Sequence, residues 1–141
     1  MSMQITTYIM LDGTAKEAIA FYQKALGAKL LFMQTAGEGP QNPDKPMSEA
    51  EKEPVAHAVL KVDGGELMVA DSLPDQPPQQ GNQVSVCLTL DEAAQAREIF
   101  EALKENGHVE IPLGEMYFSP AFGLVVDKFG VTFQIFTKRA R

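Results

Sequence analysis

The sequence predicts an α+β fold: two βαβββ modules forming a curled mixed sheet around a trough, with the helices on the outer face. Three observations predict it. The element order β-α-β-β-β reads twice along the chain. Leu11, Asp12, Ala15 and Phe21 recur 79 positions later as Leu90, Asp91, Ala94 and Phe100. A proline-rich stretch, Ser72 to Asn82 with Pro74, Pro77 and Pro78, separates the two readings. An internal repeat constrains the fold more tightly than any single element. The 141 residues suit one domain, with module one at 1–71, a linker at 72–82 and module two at 83–141.

Module one begins with a strand over Gln4–Leu11, rich in β-branched and aromatic residues. Thr14 and Glu17 form a T-x-x-E capping-box pattern. Ala15, Ala18, Ile19, Tyr22 and Leu26 follow at helical spacing, and Gly27 supplies the stop. Ala28–Thr35 reads as a strand. Gly37–Glu53 is polar and unpatterned, with three prolines, and reads as a long loop or lid. Its acidic residues suit a solvated surface. Val55–Val62 and Glu66–Asp71 are strands joined by an Asp63-Gly64-Gly65 turn.

Module two repeats this order. Gln83–Leu90 is a strand. Asp91 is placed to cap a helix whose Ala93, Ala96, Ile99, Phe100 and Leu103 form one stripe, ended by Gly107. His108–Leu113, Ala121–Val126 and Val131–Thr137 complete the module, with Asp127-Lys128-Phe129-Gly130 as the last turn.

Strand alternation assigns faces, and a slip of one residue inverts each assignment. Ile5, Ile9 and Leu11 point to the helix, leaving Thr6, Tyr8 and Met10 on the opposite face. Ala56, Ala58, Leu60 and Val62 point to the helix, leaving Val55, His57, Val59 and Lys61 opposite. In module two, Ser85, Cys87 and Thr89 oppose Val84, Val86, Leu88 and Leu90. Val131, Phe133 and Ile135 oppose Thr132, Gln134 and Phe136. The helix-free faces, curled by strand twist, would enclose a small-molecule trough.

Composition removes several function classes. A net charge of −7 and scattered basic residues give no stripe for a phosphate backbone, so no nucleic acid is expected. No apolar run approaches a membrane span or a signal peptide, so no membrane partner and a cytoplasmic location are expected. The single cysteine, Cys87, excludes an internal disulfide, and its apolar surroundings predict a buried thiol. No glycine-rich turn opens a helix, so no S-adenosylmethionine or nucleotide motif is present; Gly64-Gly65 joins two strands.

The doubled βαβββ order resembles the vicinal oxygen chelate superfamily of glyoxalases, extradiol dioxygenases and bleomycin-binding proteins. Three stretches resemble its PhnB-type branch, labelled 3-demethylubiquinone methyltransferase-like: Asp12–Tyr22; His57-Ala58 with Gly64–Asp71; and Phe122-Gly123 with Asp127–Val131. The resemblance implies a homodimer and a small organic ligand, acted on or sequestered. It also implies a divalent metal held by His and Glu side chains. This sequence departs from that pattern. The first-strand ligand position falls at Thr7, Tyr8 or Thr6, the position opening module two near Ser85, and the final glutamate at Gln134. The hairpin strand offers Glu66, Met68 or Asp71. The resemblance therefore implies an incomplete metal site, with His57 as its remaining ligand.

His57 keeps two readings: a ligand or general base in the trough, or a half-buried histidine hydrogen-bonded to a neighbouring strand or Tyr8. Glu115, before Met116-Tyr117-Phe118, resembles a branch carboxylate beside aromatics and is the second catalytic candidate. Tyr8, Met68, Ser85, Phe118, Phe122 and Gln134 are the candidate substrate contacts. His108, directly after Gly107, is expected to face solvent.

Overall fold

Strand pairing in this protein is decided by which residues must leave water. The computed structural model describes residues 2–73 and 75–139, and Pro74 of the linker lies outside them. The chain divides into two compact units, Met1–Pro78 and Gln79–Arg141. Each holds a four-stranded mixed sheet and a helix of three turns.

In the first unit the elements are β1 (Thr7–Leu11), α1 (Ala15–Leu26), β2 (Lys29–Thr35), α2 (Glu49–Lys52), β3 (Val55–Val62) and β4 (Gly65–Asp71). The sheet order is β1-β4-β3-β2, with β1 parallel to β4 and the other neighbours antiparallel. Helix α1 turns Ala15, Ala18, Ile19 and Tyr22 inward and packs over β2, β3 and β4. Beneath it lie Ala58, Leu60, Leu67 and Val69, all buried. Each buried Leu or Val contributes roughly 1.5–3 kcal/mol. Gly27 closes the helix with a φ of 66°, a conformation open to glycine at little cost.

The helix start differs from the sequence expectation. Thr14 occupies the N-cap position, but its side chain makes no capping bond. Asp71, at the end of β4, replaces it. Asp71 Oδ1 accepts from the Ala15 N–H at 3.0 Å, and Oδ2 accepts from the Val55 N–H at 2.9 Å. A carboxylate brought by the sheet satisfies an otherwise orphaned helix donor and suits the positive helix end.

The face assignments hold over most of the sheet and invert at one bulge. Ile9 and Leu11 are 6% and 5% exposed, whereas Tyr8 and Met10 are 48% and 46% exposed. Ile5 precedes β1 and is exposed. On β3, Gln34 pairs with His57 but Thr35 pairs with Val55, so Ala56 is an extra residue. It throws Val55 inward and Ala56 outward, the reverse of simple alternation.

The segment after β2 is more ordered than its composition suggests. A 3₁₀ turn spans Ala36–Glu38, and α2 follows Ser48. Glu38 accepts from the Thr35 N–H, and Ser48 and Glu51 form a reciprocal capping box. Glu53 pairs with Lys16 at 2.7 Å and Glu49 with Lys52 at 3.4 Å. Those acidic residues are therefore caps and ion-pair partners, beyond a merely solvated surface.

The second unit carries β5 (Val86–Leu90), α3 (Ala93–Leu103), β6 (His108–Met116), β7 (Ser119–Val126) and β8 (Thr132–Thr137), in sheet order β5-β8-β7-β6. Again the first strand runs parallel to the last. Phe100 and Leu103 of α3 are buried, as are Val125, Phe133 and Ile135. Phe100 crosses the sheet at Gly123: an added Cβ there would meet the ring at 2.8 Å and the Leu113 backbone at 3.1 Å. Here the N-cap position is Glu92 rather than Asp91, and it makes no side-chain capping bond. Buried Asp127 ties the final turn, accepting from the N–H groups of Phe129 and Val131. Among the described residues no helix is long and apolar enough to cross a membrane.

Candidate functional site

The face of each sheet opposite its helix is set by the same register that builds the core. In the first unit one row across this open face reads Tyr8–Met68–Val59–Phe32, each paired with the next. His57 lies two residues from Val59 on β3, opposite Gln34 of β2. Its imidazole lies between two rings. Tyr8 stacks against it at 6.1 Å between centroids and 23°, and Phe32 sits at 6.1 Å and 50°.

No hydrogen bond of the His57 imidazole is found among the described residues. Ring contacts hold it in place of the hydrogen bond of its alternative sequence reading. Its ring nitrogens therefore remain able to accept from, or donate to, a bound molecule. Register also settles the hairpin strand. Met68 and Glu66 belong to the open face, while Asp71 is committed to Ala15 and Val55 beneath the helix.

In the second unit the matching row reads Cys87–Gln134–Leu124–Ile111. Beside it, Phe136 pairs with Phe122. Phe118 lies over both, stacked on Phe136 at 6.2 Å and 6° and edge-on to Phe122 at 5.0 Å. Tyr117 continues the cluster at 5.1 Å and is 94% exposed. Gln134 Nε2 lies 3.9 Å from Cys87 Sγ, and Thr89 Oγ1 lies 4.0 Å from the same sulfur. Cys87 is exposed, contrary to the buried thiol expected from its apolar neighbours. Alternation explains the difference, because Val86 and Leu88 turn the other way.

Ser85 lies just before β5 and is half-buried; the strand begins at Val86, not Gln83. Glu115 is exposed on β6, where the register with β7 shifts, and no partner for its carboxylate is found among the described residues. His108 is exposed as expected and lies 3.4 Å from Glu110. Of the candidates named from the sequence, the structure puts Tyr8, His57 and Met68 on the open face of the first sheet and Phe118, Phe122 and Gln134 on that of the second. Sequence reasoning passed over Phe32 and Gln34. Phe32 follows Leu31, an extra residue in the β2–β3 register, so counting along β2 could not assign its face.

The donors do not fit a divalent metal. Such a site needs three or more His or carboxylate groups converging. Among the described residues no three His, Cys, Asp or Glu side chains form such a group. The matching rows offer a phenol, a thioether, a thiol and a neutral amide: Tyr8, Met68, Cys87 and Gln134.

Known proteins share this architecture. Residues 4–135 match the Glyoxalase/Bleomycin resistance protein/Dioxygenase superfamily. Protein YjdN of Escherichia coli strain K12 is 30% identical, over 94% of each chain. Protein PA1353 from Pseudomonas aeruginosa is 32% identical, with a TM-score of 0.86 over 99% of this chain and all of that one. A PhnB protein from Bacillus cereus is 26% identical, with a TM-score of 0.77 over 96% of this chain and 99% of the other. The repeated βαβββ sheets and a match spanning nearly the whole sequence lead to one conclusion: the chain belongs to the Glyoxalase/Bleomycin resistance protein/Dioxygenase superfamily.

Proposed function

We propose that this protein binds a small organic molecule on the open face of its first sheet, with His57 as the polar centre and no metal in the contact. The carrying observation is the imidazole of His57, half-buried between Tyr8 and Phe32 and without a hydrogen-bond partner among the described residues. Rings and thioethers supply contact area, and one titratable group supplies a directed hydrogen bond. Tyr8 and Met68 flank it. Phe118, Phe122 and Gln134 offer a second, more apolar contact face on the other sheet, with Ser85 at the edge of β5. Glu115 is free to act as a base or to hold a cation at the rim.

A catalytic reading rests on the same residue. The His57 imidazole, with no hydrogen-bond partner among the described residues, could accept a proton from a bound acid. Sequestration without turnover needs only the ring contacts. A thermal-shift screen of small aromatic and polar organic molecules tests the binding claim. Hits should raise the melting temperature of the native chain and lose about tenfold in affinity in His57→Ala. Hits that bind His57→Ala and Tyr8→Ala as tightly as the native chain would refute it. Turnover of a hit, monitored by mass, separates enzyme from binder.

We also propose that two copies pair. Leu31 and Phe32, on the sheet-edge strand β2, are each 49% exposed, an apolar pair that association would cover. Sedimentation should return a dimer mass, and Phe32→Glu a monomer.

A further inference from the structure

The open face of the first sheet does not end at the aromatic row. Two residues beyond Tyr8, Met68 and Val59 lie Thr6, Glu66 and Lys61. Lys61 and Glu66 are cross-strand partners on the same side of the sheet as His57 and Met68, since Leu60 and Leu67 between them are buried toward the helix. Opposite charges in that relation ordinarily close on each other. Here neither makes an ion pair or hydrogen bond among the described residues, and Asp63 at the turn is equally unpaired. Between them opens a cavity of about 400 Å³, walled by Gln4–Thr6 and the Gly64-Gly65 backbone. That volume lies within the range of small-ligand sites.

We infer that this cavity takes the zwitterionic head, an ammonium beside a carboxylate, of a ligand whose planar ring lies toward Tyr8 and His57. The inference rests on the proposed binding face and names the class of its ligand. Lys61 faces the ligand carboxylate; Glu66 and Asp63 face its ammonium. One ammonium and two carboxylates complement both charges of such a head, where a purely anionic head would meet two like charges. Strands rise about 3.3 Å per residue, so the charged row lies about 7 Å from Tyr8 and about 13 Å from His57. A molecule with a ring a few bonds from an amino-acid head spans the shorter interval and brings its ring to the Tyr8 row, on the His57 side of the cavity.

The absence of tryptophan from the chain makes the test direct. Indole fluorescence anisotropy, excited beyond the tyrosine band, reports only the ligand. L-Tryptophan, tryptamine, indole-3-propionate and indole carry both charges, the cation, the anion and neither. L-Tryptophan should bind about fivefold more tightly than either singly charged probe. Lys61→Met should weaken L-tryptophan and indole-3-propionate about fivefold and leave tryptamine unchanged. Glu66→Gln should weaken L-tryptophan and tryptamine and leave indole-3-propionate unchanged. Equal binding of all four probes, or no response to either substitution, would overturn the inference. So would no indole binding at all, and in that event the His57→Ala screen still judges the broader reading on its own.

Discussion

The two sheets are built on one plan and carry different chemistry. Leu11 pairs with Asp71, and Leu90 with Thr137. Ala58 pairs with Val69, and Gly123 with Ile135. Position by position, Tyr8 therefore answers to Cys87, Met68 to Gln134, and His57 to Phe122. Beneath the helices the repeat is conservative, because both sheets must accept a helix there. Ala58 and Gly123 are both small. The open faces lie opposite those helices, and there the residues diverge. The first sheet has an imidazole between two rings. The second has Phe118, Phe122 and Phe136 packed on one another. The lesson is that the repeated half of each sheet is structural and the diverged half is where ligand chemistry is to be sought.

The largest test of the structural half is Asp71→Ala. Asp71 accepts two backbone N–H bonds, while Thr137 at the matching position caps no helix. Hydrogen bonds to a charged acceptor contribute about 1.5–3 kcal/mol each. Urea unfolding should show a loss of about 3 kcal/mol. A loss below about 1 kcal/mol would mean that the cap does not distinguish the two units.

Thr137→Val should move stability the other way and less. The Thr137 hydroxyl is buried without a hydrogen-bond partner among the described residues, while its backbone N–H donates to Ser119 Oγ at 3.2 Å and its C=O accepts from it at 2.7 Å. Removing the hydroxyl keeps the backbone bonds, and a gain of about 1 kcal/mol is expected in the same urea series.

The smallest effect belongs to the acidic segment between β2 and β3, which the second unit lacks. Hydrogen bonds from the Thr35 backbone and hydroxyl hold the Glu38 carboxyl below the usual carboxylate range. Those from Ser48 do the same for Glu51, and the Lys16 hydrogen bond and charge do so for Glu53. A carboxylate depressed in the folded state stabilises fully above its free pKa and loses that contribution as pH falls through its folded pKa. Amide exchange in residues 35–53, corrected for its intrinsic pH dependence, should therefore show less protection on acidification through the carboxylate range. Exchange in β3 and β7 should hold over the same interval.

Much of this fold was legible because its signals are local. The helical stripes and the turn residues each act within a few positions, and the return of Leu11 as Leu90 shows the same local plan used twice. What escaped depended on the register between strands. The Ala56 bulge reversed Val55, the Leu31 bulge hid the face of Phe32, and the true cap of α1 came from Asp71, far along the chain. Cys87 misled because an apolar run in a half-covered strand still turns alternate residues outward. For the site, alternation was enough to put Tyr8 and His57 on the same side, while the face of Met68 waited on the β3–β4 register. It could not show that His57 lies between two rings, because one of them comes from β2 across a bulge.

The central claim is that ligand chemistry resides on the diverged open face of the first sheet. Methionine-methyl NMR tests it most directly, since Met10 and Met68 mark that face while Met47 lies in the segment before α2 and Met116 on β6 of the other sheet. On titration with a hit from the thermal-shift screen, the Met10 and Met68 methyl signals should move in a saturable way, and the midpoint should rise about tenfold in His57→Ala. Shifts confined to Met47 or Met116, with Met10 and Met68 unmoved, would contradict the account.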